Sequence, residues 1–177
     1  LQEWSLPLTR VIRRRHDLIA AAGAYAAAGV VPVVTKADLM HCGHGVRRWI
    51  DLETLFNTEA YNDDAYPMVL QPFVEKPIDV RVIIAGDYVE AYKRFNPDSF
   101  RMNMAAGAKS EPFALASAVE NLCRDVMARG RFPYAHLDLL IRDDDSCHLS
   151  EIALDGGTKG ARIDRKQLDA IKSNVLE

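Results

Sequence analysis

The chain has 177 residues, 49% of them hydrophobic, and a net charge of −3 at pH 7. This length allows one domain or two small ones with a core, and the charge argues against a nucleic-acid-binding protein, whose domain is usually strongly basic. No apolar run approaches the roughly 20 residues that span a bilayer. Three cysteines at scattered spacing suit a reducing cytoplasm better than a disulfide scaffold. We therefore expect a cytoplasmic protein without nucleic-acid or membrane partners, and a homo-oligomer is possible.

The first part of the chain predicts two helices and three strands, separated by glycine and proline signals. The predicted elements are an alanine-rich helix over 9–28 that ends at Gly29, strands over 30–36, 47–50 and 68–74, and a short helix over 51–56. Glu75-Lys76-Pro77 breaks the last strand. We place a boundary there, which divides the chain into residues 1–74 and 75–177.

The second part predicts two hairpins and two helices. The predicted elements are strands over 79–85 and 88–94 around Gly86-Asp87, a helix over 117–129 with a Ser117–Glu120 capping box, strands over 135–141 and 147–153, and a last helix from about Asp164. Strands and helices mix without a regular βαβ alternation, so the predicted fold class is α+β.

Two carboxylates come together in the hairpin over 135–153. A hairpin that closes about Asp144-Asp145 places Asp138 opposite Glu151, with Cβ atoms about 5 Å apart. His136 then lies opposite Ala153 on the same face. One or two carboxylates plus substrate phosphates are how proteins hold Mg²⁺. The alternative is a hairpin edge with solvated acidic side chains.

A second constellation precedes it, where Lys36 is followed by Gly43-His44-Gly45. Glycines let backbone N–H groups approach phosphates closely, and a lysine supplies a positive charge. The sequence lacks the Gly-Lys-Ser/Thr ending of a Walker loop. A two-glycine loop alone is usually an ordinary turn, but together with the acidic hairpin it predicts a nucleoside triphosphate site.

These motifs, in this order, resemble the ATP-grasp superfamily and most of all its RimK-type carboxylate–amine ligases, over residues 16–165. The resemblance implies an ATP-grasp fold in which two α+β subdomains clasp a nucleotide between them. It implies that Lys36 contacts phosphates and that residues 40–45 form a glycine-rich lid. The cofactor-binding residues implied are Lys36, Gly43, His44, Gly45, Gln71, Phe73, Val74, Glu75 and Asp79, the last two as alternative ribose contacts.

In the larger half, the resemblance implies that Arg94, Arg101 and Asn103 are catalytic and that Asp138 and Glu151 are the metal ligands. Lys93 would join the two arginines in neutralising phosphoryl charge. The implied cofactors are ATP and Mg²⁺, and the implied substrates are a small-molecule or peptide carboxylate and an amine, joined through an acyl phosphate. Lys159 and Arg162 either hold an anionic substrate carboxylate or are surface charges.

The sequence also departs from the family pattern. Ala153 stands where the family has a third metal ligand, an Asn, and His136 stands where an Arg is expected. The separate domain that normally precedes this unit is not found in the sequence. Two alternatives therefore stand beside the ligase: a degenerate module that binds nucleotide without ligating, and a small-molecule kinase on the same fold.

Overall fold

The structure is a computed structural model that describes residues 1–40 and 43–177. They form two compact units, a small unit of Leu6–Glu75 and a large unit of Leu1–Ser5 with Lys76–Glu177. Each unit combines helices with one antiparallel sheet, which confirms the α+β class. In the part of the chain that is described, no helix is long and apolar enough to cross a membrane.

The small unit has a four-stranded sheet covered on one face by two helices. Its elements are β1 (Arg10–Ile12), α1 (Arg15–Ala27), β2 (Val33–Ala37), β3 (Val46–Trp49), α2 (Leu52–Glu59) and β4 (Met68–Pro72). The strand order is β1-β4-β2-β3, and every pair is antiparallel. Leu18 and Tyr25 of α1 and Leu55 of α2 pack on Val33 and Leu70 of the sheet, and all five are fully buried.

The predicted helix over 9–28 is wrong at its beginning. Residues 10–12 form β1, which pairs with β4, and Ile12 is buried opposite Met68. A β-branched pair, Val11-Ile12, gains more from a partner strand than from a helical turn, so the helix begins only at Arg15. Its predicted end is confirmed, because Gly29 follows Ala28 with φ +65°.

The large unit has a five-stranded sheet between two helices. Its elements are β5 (Ile78–Ala85), β6 (Tyr88–Phe95), β7 (Lys109–Pro112), α3 (Ser117–Gly130), β8 (Tyr134–Ile141), β9 (Cys147–Ala153) and α4 (Arg165–Leu176). The order is β7-β6-β5-β8-β9 with antiparallel neighbours throughout. The predicted strand pairs and the last helix are confirmed.

Alternation along the strands gives this sheet two different faces. Val82 and Leu137 point to one face, where they pack with Cys123 and Val126 of α3. On the other face, Ile83 packs with Leu168 of α4 at one end of the sheet. The rest of that second face carries charged side chains, which we call the polar face: Asp79, Arg81, Arg94, Asp138 and Glu151.

The predicted capping box of α3 is wrong, whereas α4 has one. The amides of Val119 and Glu120 both donate to the carbonyl of Ala116, which makes Ala116 the cap, and none of the described side chains caps the helix. At α4, Asp164 accepts from the amide of Gln167 at 2.8 Å, and the Gln167 side chain accepts from the amide of Asp164 at 3.1 Å.

Candidate functional site

The hairpin of β8 and β9 brings the two predicted carboxylates together. Asp138 pairs with Glu151, and His136 pairs with Ala153, as the sequence predicts. The predicted register is therefore confirmed at the position that matters for a cation. Asp138 is buried in the centre of the sheet, whereas Glu151 is exposed on the edge strand.

The register of β8 and β9 depends on a bulge that the sequence did not predict. The turn is centred on Asp144, because Ile141 pairs with Cys147 and Asp145 takes a φ of +61°. Continued without interruption, that pairing would place Ser150 opposite Asp138. A β-bulge between Leu149 and Glu151 adds one residue to β9 and brings Glu151 opposite Asp138. Bulges are common next to active sites because they re-aim a side chain.

Two arginines of neighbouring strands neutralise Asp138. Arg81 on β5 donates through Nε to Oδ1 at 2.6 Å and through Nη2 to Oδ2 at 2.7 Å, a bidentate pair. Arg94 on β6 reaches Oδ2 at 3.0 Å and donates through Nε to Asp79 at 2.5 Å. Two aspartates and two arginines thus form one charge-balanced network inside the polar face.

The two aspartates of this network differ in pKa. Burial alone would raise the pKa of Asp138, but the hydrogen bonds from Arg81 and Arg94 outweigh it and lower that pKa. Burial raises the pKa of Asp79, and the neighbouring charge of Asp138 adds to the rise, with Arg94 opposing both. Asp138 is therefore ionised at neutral pH, as a cation ligand must be, and it holds its charge at a lower pH than Asp79 does.

The donor set fits a magnesium ion that is held partly by phosphate. Among the described residues, no three His, Cys, Asp or Glu side chains converge into a ready-made metal cage. Two carboxylate oxygens on facing strands are nevertheless what Mg²⁺ requires from the protein when waters and nucleotide phosphates complete its octahedron. Glu151 would supply an exposed oxygen to such an ion, and Asp138 would supply one from inside the network.

His136 lies one residue pair farther along the same face and is almost completely buried. Neither ring nitrogen has a hydrogen-bond partner among the described residues. Burial, together with the charges of Arg81 and Lys172, lowers the pKa of His136 to about 4. The ring is therefore neutral, and it fills the space beneath the loop that follows β9.

Gly156 is where that loop passes over His136. A Cβ atom at Gly156 would lie 2.5 Å from Cγ and 2.6 Å from Nδ1 of the imidazole. We expect Gly156→Ala to lower the free energy of unfolding by about 1–3 kcal/mol, because overpacking forces side chains and backbone to shift. Chemical denaturation measures this change.

The matched control is Gly157→Ala, since a Cβ at Gly157 would meet no atom of residues 1–40 and 43–177 within 4 Å. It should change stability by no more than about 0.5 kcal/mol. Gly156→Ala combined with His136→Ala should regain part of the loss. Equal effects of the two glycine substitutions would show that His136 does not fix this loop.

The loop after β9 crosses the sheet and is tied down at its far end by Glu90. This buried carboxylate accepts hydrogen bonds from the amides of Arg162 at 2.6 Å and Ile163 at 3.2 Å, and from the hydroxyl of Tyr88 at 2.6 Å. Ser110 on β7 also donates to the carbonyl of Gly160 at 3.3 Å. We call residues 154–163 the crossing loop.

The anchoring of the crossing loop should depend on pH. Burial raises the pKa of Glu90, but its hydrogen bonds lower it more, so the folded-state pKa lies below the ordinary 4.5. Such a group stabilises the fold above pH 4.5, and this contribution is lost as pH falls through the folded-state pKa. Glu90→Gln should cost about 1–3 kcal/mol at pH 7.

Denaturation of wild type and Glu90→Gln between pH 3 and pH 7 measures the difference, which should shrink in acid. Tyr88→Phe removes one donor and keeps the carboxylate, so its cost should be smaller and should also shrink in acid, because this hydrogen bond helps to lower the pKa of Glu90. A wild-type-to-Glu90→Gln difference that is constant across this range would contradict an ionised anchor.

The other predicted residues of the large unit are not all brought to the polar face. Arg101 and Asn103 lie on the loop that follows β6, whose last residues include Arg94. The guanidinium of Arg101 lies 4.6 Å from the ring centroid of Phe100. Lys93 points to the sheet face that packs on α3, where it pairs with Glu111. It therefore lies on the opposite face from Arg94 and does not contribute to the polar face. Lys159 and Arg162 are exposed on the crossing loop.

In the small unit, Lys36 lies on the sheet face opposite α1 and α2. Thr35 points toward the helices, where its hydroxyl accepts from Trp49 Nε1 at 2.8 Å, so Lys36 points the other way. Lys36 pairs with Val46 on one side and Val69 on the other. Gln71 lies on the same face two positions along β4 and is 6% exposed.

The predicted lid, residues 40–45, joins β2 to β3. His41 and Cys42 lie outside the described residues. Gly43 has a φ of +75° and its carbonyl accepts from the amide of Val46 at 3.2 Å, which closes a turn. A Cβ at Gly45 would lie 2.9 Å from Cβ of Ala37. The positive φ at Gly43 and the close approach at Gly45 thus explain both glycines. His44 is exposed between them.

The residues predicted around adenine and ribose come at the end of β4. The amide of Phe73 donates to the carbonyl of Pro32 at 3.0 Å, and the guanidinium of Arg48 lies 5.0 Å from the Phe73 ring centroid. Val74 is half-buried and Glu75 is exposed at the boundary of the small unit. Asp79, the alternative ribose contact, is buried and bound to Arg94.

Sequence reasoning assigned no role in the site to three residues on the same side of the large sheet as the polar face. Arg81 holds Asp138, Glu90 anchors the crossing loop, and Tyr92 lies opposite Arg81 on β6. The signal was present in the alternation of β5 and β6, because Arg81 and Tyr92 are opposed in the hairpin around Gly86-Asp87. This alternation predicts a contact between Arg81 and Asp138 only if β8 is known to pair with β5.

The chain is similar to a known protein family and to a curated ligase. The family model of the RimK-like ATP-grasp domain matches residues 2–173 of the chain. The α-aminoadipate–LysW ligase LysX of Sulfurisphaera tokodaii is 33% identical over 102 residues, which cover 54% of this chain and 36% of that protein. The chain therefore spans about a third of the curated relative that it matches.

Two solved structures share the fold. The ATP-grasp ligase PsnB, in complex with a variant of its minimal precursor, Mg and ADP, superposes with a TM-score of 0.71 and 19% identity, covering 98% of this chain and 55% of PsnB. D-alanyl-alanine synthetase A of Vibrio cholerae superposes with a TM-score of 0.66 and 15% identity, covering 97% of this chain and 58% of the synthetase.

Proposed function

Because the chain belongs to the RimK-like ATP-grasp family, we propose that it binds Mg-ATP and uses it to join a carboxylate to an amine. The observation that carries this proposal is the bulged hairpin, which sets an ionised, arginine-held Asp138 opposite an exposed Glu151. A bulge, a bidentate arginine and two facing carboxylates are more than an edge strand with solvated acids requires.

In this proposal the two units have separate tasks. Asp138 and Glu151 hold the cation, and Lys36 and the glycine-containing loop around Gly43 bind phosphate groups. Gln71 and the backbone at Phe73 bind the adenine. These residues have the chemistry for the task, since phosphates are bound by lysine ammonium groups and by backbone amides near glycines.

The proposed reaction requires little covalent participation by side chains of the protein. Bound Mg²⁺ would neutralise phosphate charge. A carboxylate oxygen of one substrate attacks the γ-phosphorus and ADP leaves. The amine of the other then attacks the acyl carbon, and phosphate leaves with the former carboxylate oxygen. Positioning and charge stabilisation suffice for such phosphoryl transfer, and Arg94, with Arg101 and Asn103 on the neighbouring loop, is the proposed source of both.

The substrates are a carboxylate and an amine of the kinds that similar proteins take. PsnB is described with a precursor peptide, and LysX with α-aminoadipate and LysW. A peptide or an amino acid is accordingly the first class to test. We place the reaction in the cytoplasm, because the free thiols of Cys123 and Cys147 suit a reducing compartment.

Product analysis tests the proposed reaction. The protein is incubated with Mg-ATP and pools of peptides or amino acids, and products are identified by mass spectrometry. A ligase yields ADP, phosphate and a new amide in equal amounts. A phosphorylated acceptor with ADP would identify a kinase instead, and absence of turnover with retained Mg-ATP binding would identify a module that only binds nucleotide.

The second candidate, a nucleotide-binding module without ligation, is favoured by Ala153. This residue pairs with His136 on the polar face, two positions after Glu151 along β9. Alanine has no ligand atom, so water must complete the cation's coordination there, which Mg²⁺ tolerates. Water positions phosphates less firmly than a protein amide, and positioning is most of this catalysis.

Ala153→Asn should therefore raise the affinity for Mg-ADP about three- to tenfold and raise turnover by a similar factor. Isothermal titration calorimetry measures the first effect. Ala153→Leu is the matched control, because it adds volume without a ligand atom, and its affinity should be unchanged or lower. If the Asn variant binds Mg-ADP no better than the Leu variant, the cation is not held at this end of β9.

A further inference from the structure

Arg81 has a position on the polar face that the proposed function does not explain. Its Nε and Nη2 atoms donate to the two oxygens of Asp138 at 2.6 and 2.7 Å. Asp138 is also the carboxylate proposed to bind a divalent cation. The guanidinium and the cation would therefore bind the same two oxygen atoms.

The oxygens of Asp138 have little capacity left. A carboxylate offers about four lone-pair sites. Arg81 takes one on each oxygen, and Arg94 takes a second one on Oδ2 at 3.0 Å. One site remains, on Oδ1, the atom that Arg81 Nε already contacts at 2.6 Å. A cation bound there would lie within a few ångströms of a like-charged guanidinium, and the two repel strongly in a partly buried place.

Of the two arginines, Arg81 is the one that can leave. Arg94 has a 4% exposed side chain and keeps Asp79 as a partner if Asp138 turns away. Arg81 has a 16% exposed side chain, and the carboxylate that it contacts is Asp138. Loss of Asp138 would leave Arg81 without a hydrogen-bonded carboxylate among the described residues, and only the more distant charge of Glu151 would remain near it.

We propose that Arg81 is a further residue of this site: its guanidinium and the divalent cation compete for Asp138, and the cation turns Arg81 to the nucleotide phosphates. The inference rests on the proposed cation site at Asp138. A guanidinium is suited to this exchange, because its planar fork fits phosphate as well as carboxylate. Cation and nucleotide then strengthen each other's binding through Arg81, and the coupling is reciprocal.

Substitutions at Arg81 separate competition from a simple charge effect. Removal of any nearby positive charge favours a cation, so Arg81→Gln alone does not decide. Arg81→Lys keeps the charge and removes the bidentate fork, which makes it the decisive variant. Arg142→Lys is the matched control, because Arg142 belongs to the turn of the same hairpin and pairs with Asp144.

Electron paramagnetic resonance of free Mn²⁺ measures cation affinity without any turnover. Without nucleotide, Arg81→Lys should bind Mn²⁺ about tenfold more tightly than wild type, Arg81→Gln at least as tightly, and Arg142→Lys like wild type. With ADP, the increase in Mn²⁺ affinity caused by the nucleotide should be several-fold smaller in Arg81→Gln than in wild type. Thermal unfolding confirms that each variant is folded.

Two other outcomes have distinct meanings. If Arg81→Lys binds Mn²⁺ like wild type or more weakly while Asp138→Asn loses binding, Arg81 only supports Asp138 and the inference is wrong, although the cation site stands. If wild type and Asp138→Asn bind Mn²⁺ equally, with and without ADP, the proposed cation site is wrong and the inference falls with it.

Discussion

Asp138→Asn should lower the affinity for Mg-ADP and Mg-ATP by at least 100-fold, the largest effect that we expect of any single substitution. The amide removes the negative charge of the carboxylate that lies deepest in the polar face, and a neutral oxygen is a poor ligand for Mg²⁺. Calorimetric titration with nucleotide, with and without Mg²⁺, measures the change.

The same substitution should also cost stability, because it leaves Arg81 and Arg94 facing a neutral partner. We expect a loss of about 1–3 kcal/mol, since the amide oxygen still accepts one hydrogen bond. Glu151→Gln is the control: this side chain is exposed, so it should weaken Mg-ADP by about tenfold and leave the unfolding midpoint unchanged. Wild-type affinity of Asp138→Asn would contradict the proposed site.

Lys36→Ala should weaken ADP and ATP about 10- to 100-fold and leave adenosine binding unchanged. Lys36 is on the sheet face opposite the helices, where it pairs with Val46 and Val69, and a charge-assisted hydrogen bond to phosphate contributes about 1.5–3 kcal/mol. Adenosine has no phosphate and so does not report this contact.

Lys166→Ala is the control for loss of a positive charge, because Lys166 is exposed at the beginning of α4. It should bind all three ligands like wild type at 0.15 M salt, where distant surface charges are screened. If Lys36→Ala loses adenosine as much as ATP, Lys36 serves the fold of the small unit and does not bind phosphate.

The sequence was most informative where local patterns decide the structure. The hairpin over 135–153 could be placed because two apolar runs flank an acidic turn, and pairing two strands of alternating side chains has few solutions. Even there the predicted centre of the turn, between Asp144 and Asp145, is half a residue from the observed centre at Asp144. The bulge at Ser150 restores the pairing of Asp138 with Glu151. A bulge leaves no clear mark on a single sequence.

The arginine network could not be predicted, because it depends on which strands become neighbours. Arg81 and Asp138 are 57 residues apart, and they meet only because β5 pairs with β8. Residues 10–12 were misassigned for the same reason, since their strand exists only through β4. Local propensity predicts the elements, whereas the tertiary pairing of strands decides which side chains form a site.

The most direct test of the account is an anomalous difference map from a crystal of this protein grown with Mn²⁺ and ADP. Mn²⁺ replaces Mg²⁺ at oxygen ligands and is visible by its anomalous scattering. The account predicts a peak about 2.0–2.3 Å from one oxygen of Asp138 and one of Glu151. A map in which ADP is bound and the Mn²⁺ peak lies away from both carboxylates would contradict it.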